Sequence, residues 1–519
     1  MRLKAIIAAA STAFALGAPM ASVADTARQN FQSHCASCHG ADRLGGQGPA
    51  LLPENLGRLR KNKAAGVITK GRPASQMPAF GETLSKADIE GLVKLIYTPL
   101  PRIPDWGMAE ISKSRKLFLD LGALPTSPQY QADPLNIFTV VEIGDHHITI
   151  LDGDRFEPMA RLKTRFAVHG GAKYSPDGRF VYLASRDGWI SMYDLWGLQQ
   201  VAEIRAGINT RNVAVSSDGA FLMVANTLPH TLVALSAKDL TPLKVIEVRG
   251  KKGKSSRVSA VYAAPPRRSF VAALKDIPEI WEIPYDPAIK IYPGLVHNYE
   301  EGMEEGIPLK GPFPIRRILL DDYLDDFFFD LDYRNLIGAA RNAKNGQVVN
   351  LNVGRKIADI QLAGMPHLGS GITWQYEGRE VMATPHLRGG LVSVIDMETW
   401  KTIKTIETKG PGFFMRSHKN THYAWVDVFF GKNRDLLHII DKRTLEIVKT
   451  INPAPGRTNA HVEFDRDGSH AIVSVWEDDG AIVVYDAKTL KEVKRLPMKK
   501  PSGKYNVWNK TRYAAGTSH

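Results

Sequence analysis

An internal repeat downstream of residue 130 constrains the fold of this chain more than any other feature. Each copy has the order turn, strand, loop, strand, Asp-containing turn, strand. The four clearest copies are YSPDGRFVYLASRDGWISMYDL (174–195), SSDGAFLMVANTLPHTLVALSAKDL (216–240), WQYEGREVMATPHLRGGLVSVIDMETW (374–400) and FDRDGSHAIVSVWEDDGAIVVYDAKTL (464–490). A period of roughly 40–50 residues with this pattern is typical of β-propeller blades. The repeat therefore predicts an all-β propeller over residues 131–519.

The number of blades follows from counting the repeats. Eight units begin near residues 137, 174, 216, 259, 322, 374, 417 and 464. The units near 259 and 322 are the least regular, so a seven-bladed propeller is the alternative. We predict eight blades.

The segment CASCH at residues 35–39 contains the only two cysteines of the chain, Cys35 and Cys38, followed directly by His39. This C-x-x-C-H spacing is that of a c-type haem site, in which both thiols form thioethers and the histidine ligates the iron. A disulfide would leave His39 unexplained, and a zinc site would need two more ligands nearby. The motif predicts one covalent haem c and a role in electron transfer.

The N-terminus predicts export. Residues 1–4 (MRLK) are basic, residues 5–19 are apolar but too short to cross a bilayer, and residues 22–24 (SVA) fit a cleavage site. We expect residues 1–24 to be a signal peptide and the protein to be periplasmic, where haem is attached to such motifs. We predict no membrane span, because no other run approaches the roughly 18 apolar residues required.

Residues 25–100 are predicted to form an all-α cytochrome c domain. A first helix is expected over 26–34, and the apolar spacing of ADIEGLVKLIY (87–97) predicts a closing helix with Ser85 as its N-cap. Met77, in the loop sequence QMPAF, is placed to be the sixth iron ligand. The alternative is a loop methionine that packs on the haem edge. Pro99, Pro101 and Pro104 favour extended chain, so 101–130 is predicted to be a linker.

The basic charge of the chain narrows its partners. The formal net charge is +13, and the sequence pI is about 9.4. Nucleic acid is not an expected partner, because no Lys/Arg run with interleaved aromatic residues is present and the compartment excludes it. An ordinary solvated surface, an acidic redox partner and an anionic ligand such as a multi-carboxylate tetrapyrrole all remain open.

The plan of one C-x-x-C-H cytochrome followed by an eight-bladed propeller resembles the cytochrome cd1 nitrite reductase family over essentially the whole mature chain. Four segments carry the resemblance, in the family's order. They are PDWGM (104–108), AVH followed by SPDGRFVYLASRDG (167–188), GMPH (364–367) and PSGKYNVWNKT (501–511). The resemblance implies that the propeller binds a haem d1-type tetrapyrrole.

The resemblance also implies roles for individual residues. His169 would ligate the iron of the tetrapyrrole, and Arg186 and Arg211 would lie at its carboxylates, which suit the planar guanidinium fork. Tyr262 would lie near the ring. The alternatives are a loop histidine and ordinary inter-blade arginines.

One departure from the family's pattern changes the expected reaction. The nitrite reductases carry two histidines over the tetrapyrrole iron; here His367 matches the second, but the segment LLDDYLDD (319–326) has no histidine. A missing proton donor typically costs ~10²–10⁴-fold in rate. The pattern resembles the dihydro-haem d1 dehydrogenases of this family, which oxidise a propionate side chain to an acrylate. We expect His367 to be the general base; the alternative is a histidine that only hydrogen-bonds the propeller loops.

Other residues are ranked lower. His386, His418, His422 and His461 fall near blade edges and could line the pocket, but such histidines are more often structural or solvated. The acidic run from Asp321 to Asp326 is expected to be a solvated loop, with a role as proton acceptor as the alternative.

Three other functions remain as alternatives. These are nitrite reduction to nitric oxide, a haem d1 carrier, and a propeller scaffold whose cytochrome donates electrons to another protein. A carrier needs no redox-active haem, so the intact motif at 35–39 and Met77 favour an enzyme. The expected partners are a periplasmic electron acceptor and the cytochrome cd1 nitrite reductase as recipient of haem d1.

Overall fold

The computed structural model describes residues 23–512, except 47, 58, 72–76, 103, 169, 293, 294, 299–302, 307, 340–344, 363 and 364. The predicted signal peptide at 1–24 lies almost entirely outside the described residues. His169 also lies outside them.

Four helices form the N-terminal domain. They are α1 (Val23–His34), α2 (Ala36–His39), α3 (Lys61–Lys70) and α4 (Lys86–Ile96). Their apolar faces meet in one core that includes Phe31, Ala64 and Leu92. The predicted closing helix is confirmed to within one residue at each end, and its cap is confirmed too. Ser85 Oγ accepts from the Asp88 backbone N–H at 3.1 Å, and the Asp88 carboxylate accepts from the Ser85 N–H at 3.1 Å.

The rest of the chain folds into eight antiparallel sheets arranged as a propeller, which confirms the predicted fold and blade number. The first strands of neighbouring blades contact each other around a central channel. The innermost strands are largely buried, whereas the outermost strands alternate between buried and exposed residues. The channel is therefore lined by residues of the innermost strands and of the loops next to them.

The strands of the first four blades, from the channel outward, are as follows. Blade 1 contains Pro501–Asn506, Ile137–Glu142, His147–Asp152 and Pro158–Lys163; blade 2 contains Lys173–Tyr174, Phe180–Ala184, Trp189–Asp194 and Gln199–Arg205; blade 3 contains Asn209–Val215, Phe221–Leu228, Thr231–Ser236 and Pro242–Glu247; and blade 4 contains Val258–Ala264, Ser269–Leu274, Glu279–Pro284 and Arg316–Leu319. A hairpin of Leu295–Asn298 and Met303–Gly306 is inserted before the last strand of blade 4, which explains the irregular repeat there.

The strands of the other four blades are given in the same order. Blade 5 contains Asp326–Phe329, Asn335–Ala339, Gly346–Asn350 and Arg355–Ile360; blade 6 contains Ile372–Tyr376, Arg379–Pro385, Leu391–Asp396 and Thr402–Glu407; blade 7 contains Met415–Ser417, Tyr423–Asp427, Leu437–Asp441 and Glu446–Ile451; and blade 8 contains Asn459–Phe464, His470–Val475, Gly480–Asp486 and Glu492–Met498.

The two ends of the propeller sequence close the ring. Pro501–Asn506, near the C-terminus, pairs antiparallel with Ile137–Glu142, near the start of the propeller, and Val140 lies opposite Lys504. A last helix, α6 (Val507–Thr511), follows and buries Val507 under blades 1 and 2. Because this pairing closes the ring, no exposed strand edge remains between the first and last blades.

The segment 101–130 is more structured than the predicted extended linker. It contains α5 (Met108–Ser114), a two-residue strand Lys116–Leu117 on the outer edge of blade 2, and a 3₁₀ turn at Leu121–Ala123. The prolines end before α5 begins, and Ile111 is fully buried against the core of blades 2 and 3. Burial of this face explains the helix, which the proline count did not predict.

The N-terminal domain packs on the loops of blades 2 and 3. Ala50 and Leu52 are buried against Ile208 and Leu228. The Asn55 side-chain amide donates to the Ile208 carbonyl at 3.1 Å. Among the described residues, no helix is long and apolar enough to cross a membrane.

Candidate active site in the propeller channel and the haem-attachment segment

The motif at 35–39 is held in a geometry that fits a covalent haem. Cys35 lies on the turn between α1 and α2, as the N-cap of α2, and Cys38 lies within α2. His39 Nδ1 lies 2.7 Å from the Pro49 carbonyl, which fixes the ring and leaves Nε2 as the atom for the iron. Burial lowers the pKa of His39, which keeps the imidazole neutral as a metal ligand. A Cβ on Gly48 would come 2.9 Å from His39 Cε1, so only glycine permits this close packing.

Met77 belongs to the same core as the motif. It packs in the cluster that includes Cys35 and Phe80. Gly71 ends α3 with φ of +67°, and a Cβ there would come within 2.6 Å of the Met77 carbonyl. This glycine lets the Met77 loop lie directly on the helix end, as a ligand loop requires. The ligand role of Met77 stays a prediction.

His367 lies at the channel, in the connection from blade 5 to blade 6. Its Nδ1 is 2.7 Å from the Phe413 carbonyl, and its ring packs on the Phe413 ring at 4.3 Å. Its Nε2 lies 3.9 Å from Asp326 Oδ2, and its side chain is 13% exposed. Burial lowers the pKa of His367, and Asp326 partly opposes this shift. A neutral imidazole with Nδ1 occupied offers Nε2 as a proton acceptor or a metal ligand.

Asp326 lies on the inner edge of the channel, and the expectation of a solvated loop is wrong for it. Its side chain is only 16% exposed, and its Oδ1 accepts from the Tyr262 hydroxyl at 2.8 Å. Asp321, at the other end of the run, is 86% exposed, as expected. The run divides because Asp326 begins the innermost strand of blade 5, whereas Asp321 precedes that strand.

Tyr262 lies on the innermost strand of blade 4, and its place near a tetrapyrrole ring stays a prediction. Its ring packs edge-on against Phe327 at 4.8 Å, and the Lys173 ammonium lies 5.7 Å from the ring centre. Arg211, on the innermost strand of blade 3, donates Nε to the Ser259 carbonyl at 2.6 Å. Its charge lowers the pKa of His367, which places it at the same channel.

Arg416 is a channel cation that sequence reasoning missed. It lies on the short innermost strand of blade 7 and donates Nη1 to the Met415 carbonyl at 3.1 Å. Its Nη2 is buried without a hydrogen-bond partner among the described residues. Its charge lowers the pKa of both His367 and His461. An orphaned buried guanidinium nitrogen is a site for an anionic ligand.

Lysines add to this positive charge. Burial lowers the pKa of Lys173 to about 8, and the pKa of Lys504 and of Lys510 to about 7. Lys504 is fully buried; it donates to the His461 carbonyl, and to Ser474 Oγ at 2.8 Å. No sequence motif identified these lysines. They come together only because the fold brings the strands Lys173–Tyr174 and Pro501–Asn506 and the helix α6 to the channel.

A second histidine, His461, packs on Phe414, whose ring also contacts His367. It is buried between Phe414, at 4.7 Å, and Tyr505, at 5.5 Å between ring centres. Burial and the charge of Lys504 lower its pKa well below the usual value. Asp427 accepts from the Phe413 and Phe414 backbone N–H groups, and burial raises its pKa to about 6. These contacts favour the alternative given for His461, a residue that lines the pocket.

The remaining sequence candidates divide into channel and structural residues. The Arg186 N–H donates to the Ala167 carbonyl, in the connection that carries His169. His386 is fully buried, with Nε2 2.9 Å from Ser393 Oγ inside blade 6, and His418 packs on Phe464. His422 is exposed at a blade corner. His386 and His418 therefore pack within the blades, and His422 lies at the surface.

The channel as a whole fits a flat molecule with several carboxylates. Arg211, Arg416, Lys173, Lys504 and Lys510 supply positive charge from five different elements. The aromatic rings of Tyr262, Phe413 and Tyr505 supply apolar faces. Two neutral imidazoles and Asp326 can exchange protons.

Comparison with known proteins agrees with this geometry. A family model described as "Cytochrome D1 heme domain" matches residues 132–294 and 309–510. The chain belongs to this family. Residues 22–96 match a second model, "Cytochrome C oxidase, cbb3-type, subunit III", which agrees with a cytochrome c domain before the cytochrome D1 heme domain.

The relatives of this cytochrome D1 heme domain protein include two with different reactions. Dihydro-heme d1 dehydrogenase of Pseudomonas aeruginosa is 54% identical, over 94% of this chain and 95% of its own length. Nitrite reductase of Stutzerimonas stutzeri is 24% identical, over 93% and 92%. A solved structure of the dihydro-heme d1 dehydrogenase NirN in complex with DHE aligns with a TM-score of 0.88 and 53% identity, over 94% of this chain and all of that one. The predicted membership of the dehydrogenase branch is confirmed.

Proposed function

We propose that this protein dehydrogenates the propionate side chain of dihydro-haem d1 to the acrylate of haem d1. The observation that carries the proposal is the cationic channel, in which an orphaned Arg416 nitrogen and buried lysines surround His367 and Asp326. The 54% identity to a dihydro-heme d1 dehydrogenase supports it. The protein is then an oxidoreductase of the periplasm.

The chain's residues divide the work between two sites. Cys35 and Cys38 would hold the covalent haem c, and His39 and Met77 would be the residues that ligate its iron. When bound, this group accepts electrons one at a time. The cytochrome lies on blades 2 and 3, beside the channel, so both sites share one face of the propeller.

In the channel, the cations would hold the carboxylates of the substrate; the family resemblance assigns its iron to His169, which lies outside the described residues. Arg186, Arg211 and Tyr262 border the ring. Desaturation removes two electrons and two protons, so a base must take a proton from a side-chain carbon. We assign this role to His367, whose low pKa keeps Nε2 able to accept a proton near neutral pH. Asp326, 3.9 Å away, stabilises the imidazolium that forms.

Two electrons leave each substrate molecule, and the haem takes only one at a time. An external one-electron acceptor in the periplasm must therefore reoxidise it between the two transfers. The net positive charge of the chain suits an acidic redox protein in this role. The product, haem d1, passes to a cytochrome cd1 nitrite reductase.

The test is an absorption-monitored incubation of the purified protein, with its haem c oxidised, with dihydro-haem d1. We expect conversion of the tetrapyrrole spectrum together with reduction of haem c. His367→Ala should lose both, whereas His422→Ala, at an exposed histidine, should keep both. Binding without conversion would indicate a carrier, and turnover of nitrite would indicate a reductase; either would contradict the proposal.

A further inference from the structure

Arg205 joins three parts of the molecule that are distant in sequence. It ends the outer strand of blade 2 and is 4% exposed. Its Nε donates to the Asp187 carbonyl at 3.0 Å, and its Nη2 donates to the Leu44 carbonyl of the haem-attachment domain. Its guanidinium lies 4.7 Å from the centre of the Trp106 ring, and the Trp106 indole N–H donates to the Arg205 carbonyl at 2.9 Å.

On the cytochrome side, Leu44 precedes Gly45, whose backbone is hydrogen-bonded to that of the candidate iron ligand His39. The Gly45 N–H donates to the His39 carbonyl at 2.8 Å. Gly45 has φ of +84°, and a Cβ there would come 2.9 Å from Arg205 Nη2. The guanidinium therefore lies directly against the segment that follows the haem motif.

On the propeller side, Arg205 reaches the residue that follows Arg186, a candidate ligand of the tetrapyrrole carboxylates. Three hydrogen bonds, joined through the Leu44–Gly45 peptide and the Arg205 side chain, thus connect the candidate iron ligand His39 to the turn of blade 2 that carries Arg186. They run from the Gly45 N–H to the His39 carbonyl, from Arg205 Nη2 to the Leu44 carbonyl, and from Arg205 Nε to the Asp187 carbonyl.

We propose that Arg205 is a positioning residue that clamps the haem-attachment segment to the tetrapyrrole channel, and that this clamp sets the rate of electron transfer between them. The inference rests on the proposed function for its redox part. In one turnover, two C–H bonds of the substrate side chain break; one proton goes to His367, the other goes to solvent, and the two electrons would pass one at a time to oxidised haem c. An external one-electron acceptor would restore the oxidised haem between the two transfers.

The clamp is tested with Arg205→Met, which keeps the apolar stem but removes every donor, and with Arg205→Lys, which keeps the charge but cannot reach both carbonyls. Arg115→Met is the matched control. Arg115 fastens the same linker to blade 3, through Asp239 at 2.9 and 3.0 Å, and contacts no part of the cytochrome among the hydrogen bonds of the described residues.

Two readouts separate the clamp from the reaction. The first is hydrogen–deuterium exchange of residues 43–56 in the haem-loaded protein without tetrapyrrole. We expect exchange to be faster than wild type in Arg205→Met and to be accelerated less in Arg205→Lys. In Arg115→Met, the exchange rate of this segment should equal that of the wild type. The second is single-turnover reduction of haem c by dihydro-haem d1. A displacement of about 1 Å can cost ~10²-fold in rate, so we expect roughly 10- to 100-fold slower reduction with unchanged substrate affinity and haem potential.

Wild-type exchange at 43–56 in Arg205→Met would overturn the clamp, and a wild-type rate of haem reduction would overturn its part in electron transfer. A haem that is not reduced by substrate even in the wild-type protein would contradict the proposed function instead. The exchange data would then still decide whether Arg205 holds the two domains together.

Discussion

His367 and Asp326 lie side by side at the propeller channel, with 3.9 Å between Nε2 and Oδ2, although 41 positions separate them in the sequence. Burial and the charges of Arg211 and Arg416 lower the pKa of His367, whereas the charge of Asp326 raises it. Asp326 is thus the one acidic group that favours a protonated His367 in this site. Substitution of Asp326 therefore tests directly whether its charge controls the pKa of His367.

Asp326→Asn should move the acid limb of the pH–rate profile to lower pH. The base must be neutral to act, so activity falls as the pH decreases through its pKa. Removal of the negative charge lowers that pKa further, and the amide oxygen can still accept from Tyr262. The measurement is kcat/KM against pH. Asp321→Asn, at the exposed end of the run, is the control, and an unmoved acid limb in Asp326→Asn would exclude this coupling.

Arg416→Met should weaken tetrapyrrole binding by about 10- to 100-fold, because one hydrogen bond to a charged group contributes about 1.5–3 kcal/mol. Arg416 has a buried nitrogen that no described residue satisfies, which a substrate carboxylate would fill. An absorption titration gives the Kd. Arg443→Met removes an exposed arginine paired with Asp441 and should leave the Kd unchanged; equal Kd values for all three proteins would remove Arg416 from the site.

Lys504 should make stability depend on pH. Burial lowers its pKa to about 7, from an ordinary value of about 10.5. Between these values the unfolded chain holds the extra proton, so the free energy of unfolding contributed by this group rises with pH, by at most about 1.4 kcal/mol per pH unit. Denaturant unfolding from pH 7 to 9, without tetrapyrrole, should show a smaller slope in Lys504→Met. If wild type and Lys504→Met had identical slopes, a group other than Lys504 would be responsible for the pH dependence. Lys491→Met, at an exposed lysine, is the control and should keep the wild-type slope.

Met77→His should lower the reduction potential of haem c. A thioether ligand stabilises the reduced iron more than a second imidazole does. Potentiometric titration of the haem-loaded protein measures the change. Met108→Leu, at a methionine that is 39% exposed after the domain, should leave the potential unchanged. A wild-type potential in Met77→His would show that another residue is the ligand.

Ser85→Ala should destabilise the cytochrome domain by about 1 kcal/mol, because it removes the side-chain acceptor of a capping box. The exposed Thr83, two residues earlier, provides the comparison Thr83→Ala, for which we expect a change of a few tenths of a kcal/mol. Denaturant unfolding followed through haem absorbance measures both. Equal stability of the two variants would mean that the cap contributes nothing to the domain.

Local sequence patterns determined much of this protein. The C-x-x-C-H motif, the apolar spacing of 87–97 and the repeat of turns and strands each depend on neighbouring residues alone. They predicted the cytochrome, its closing helix and the eight blades. The family resemblance added Tyr262 and His367 as candidates, and their roles stay predictions. The prolines at 99–104 gave no sign of the helix Met108–Ser114, because that helix is stabilised by burial of Ile111 on a surface that is distant in sequence.

Only the tertiary structure decided how the channel is composed. Lys173, Arg416 and Lys504 lie in strands of different blades, and no spacing in the sequence relates them. Closure of the ring brings their charges together in a low-dielectric space, where burial and mutual repulsion lower the pKa of the lysines. The pairing of His367 with Asp326, and the clamp made by Arg205, have the same origin. Each depends on contacts between parts of the chain that only the folded ring places side by side.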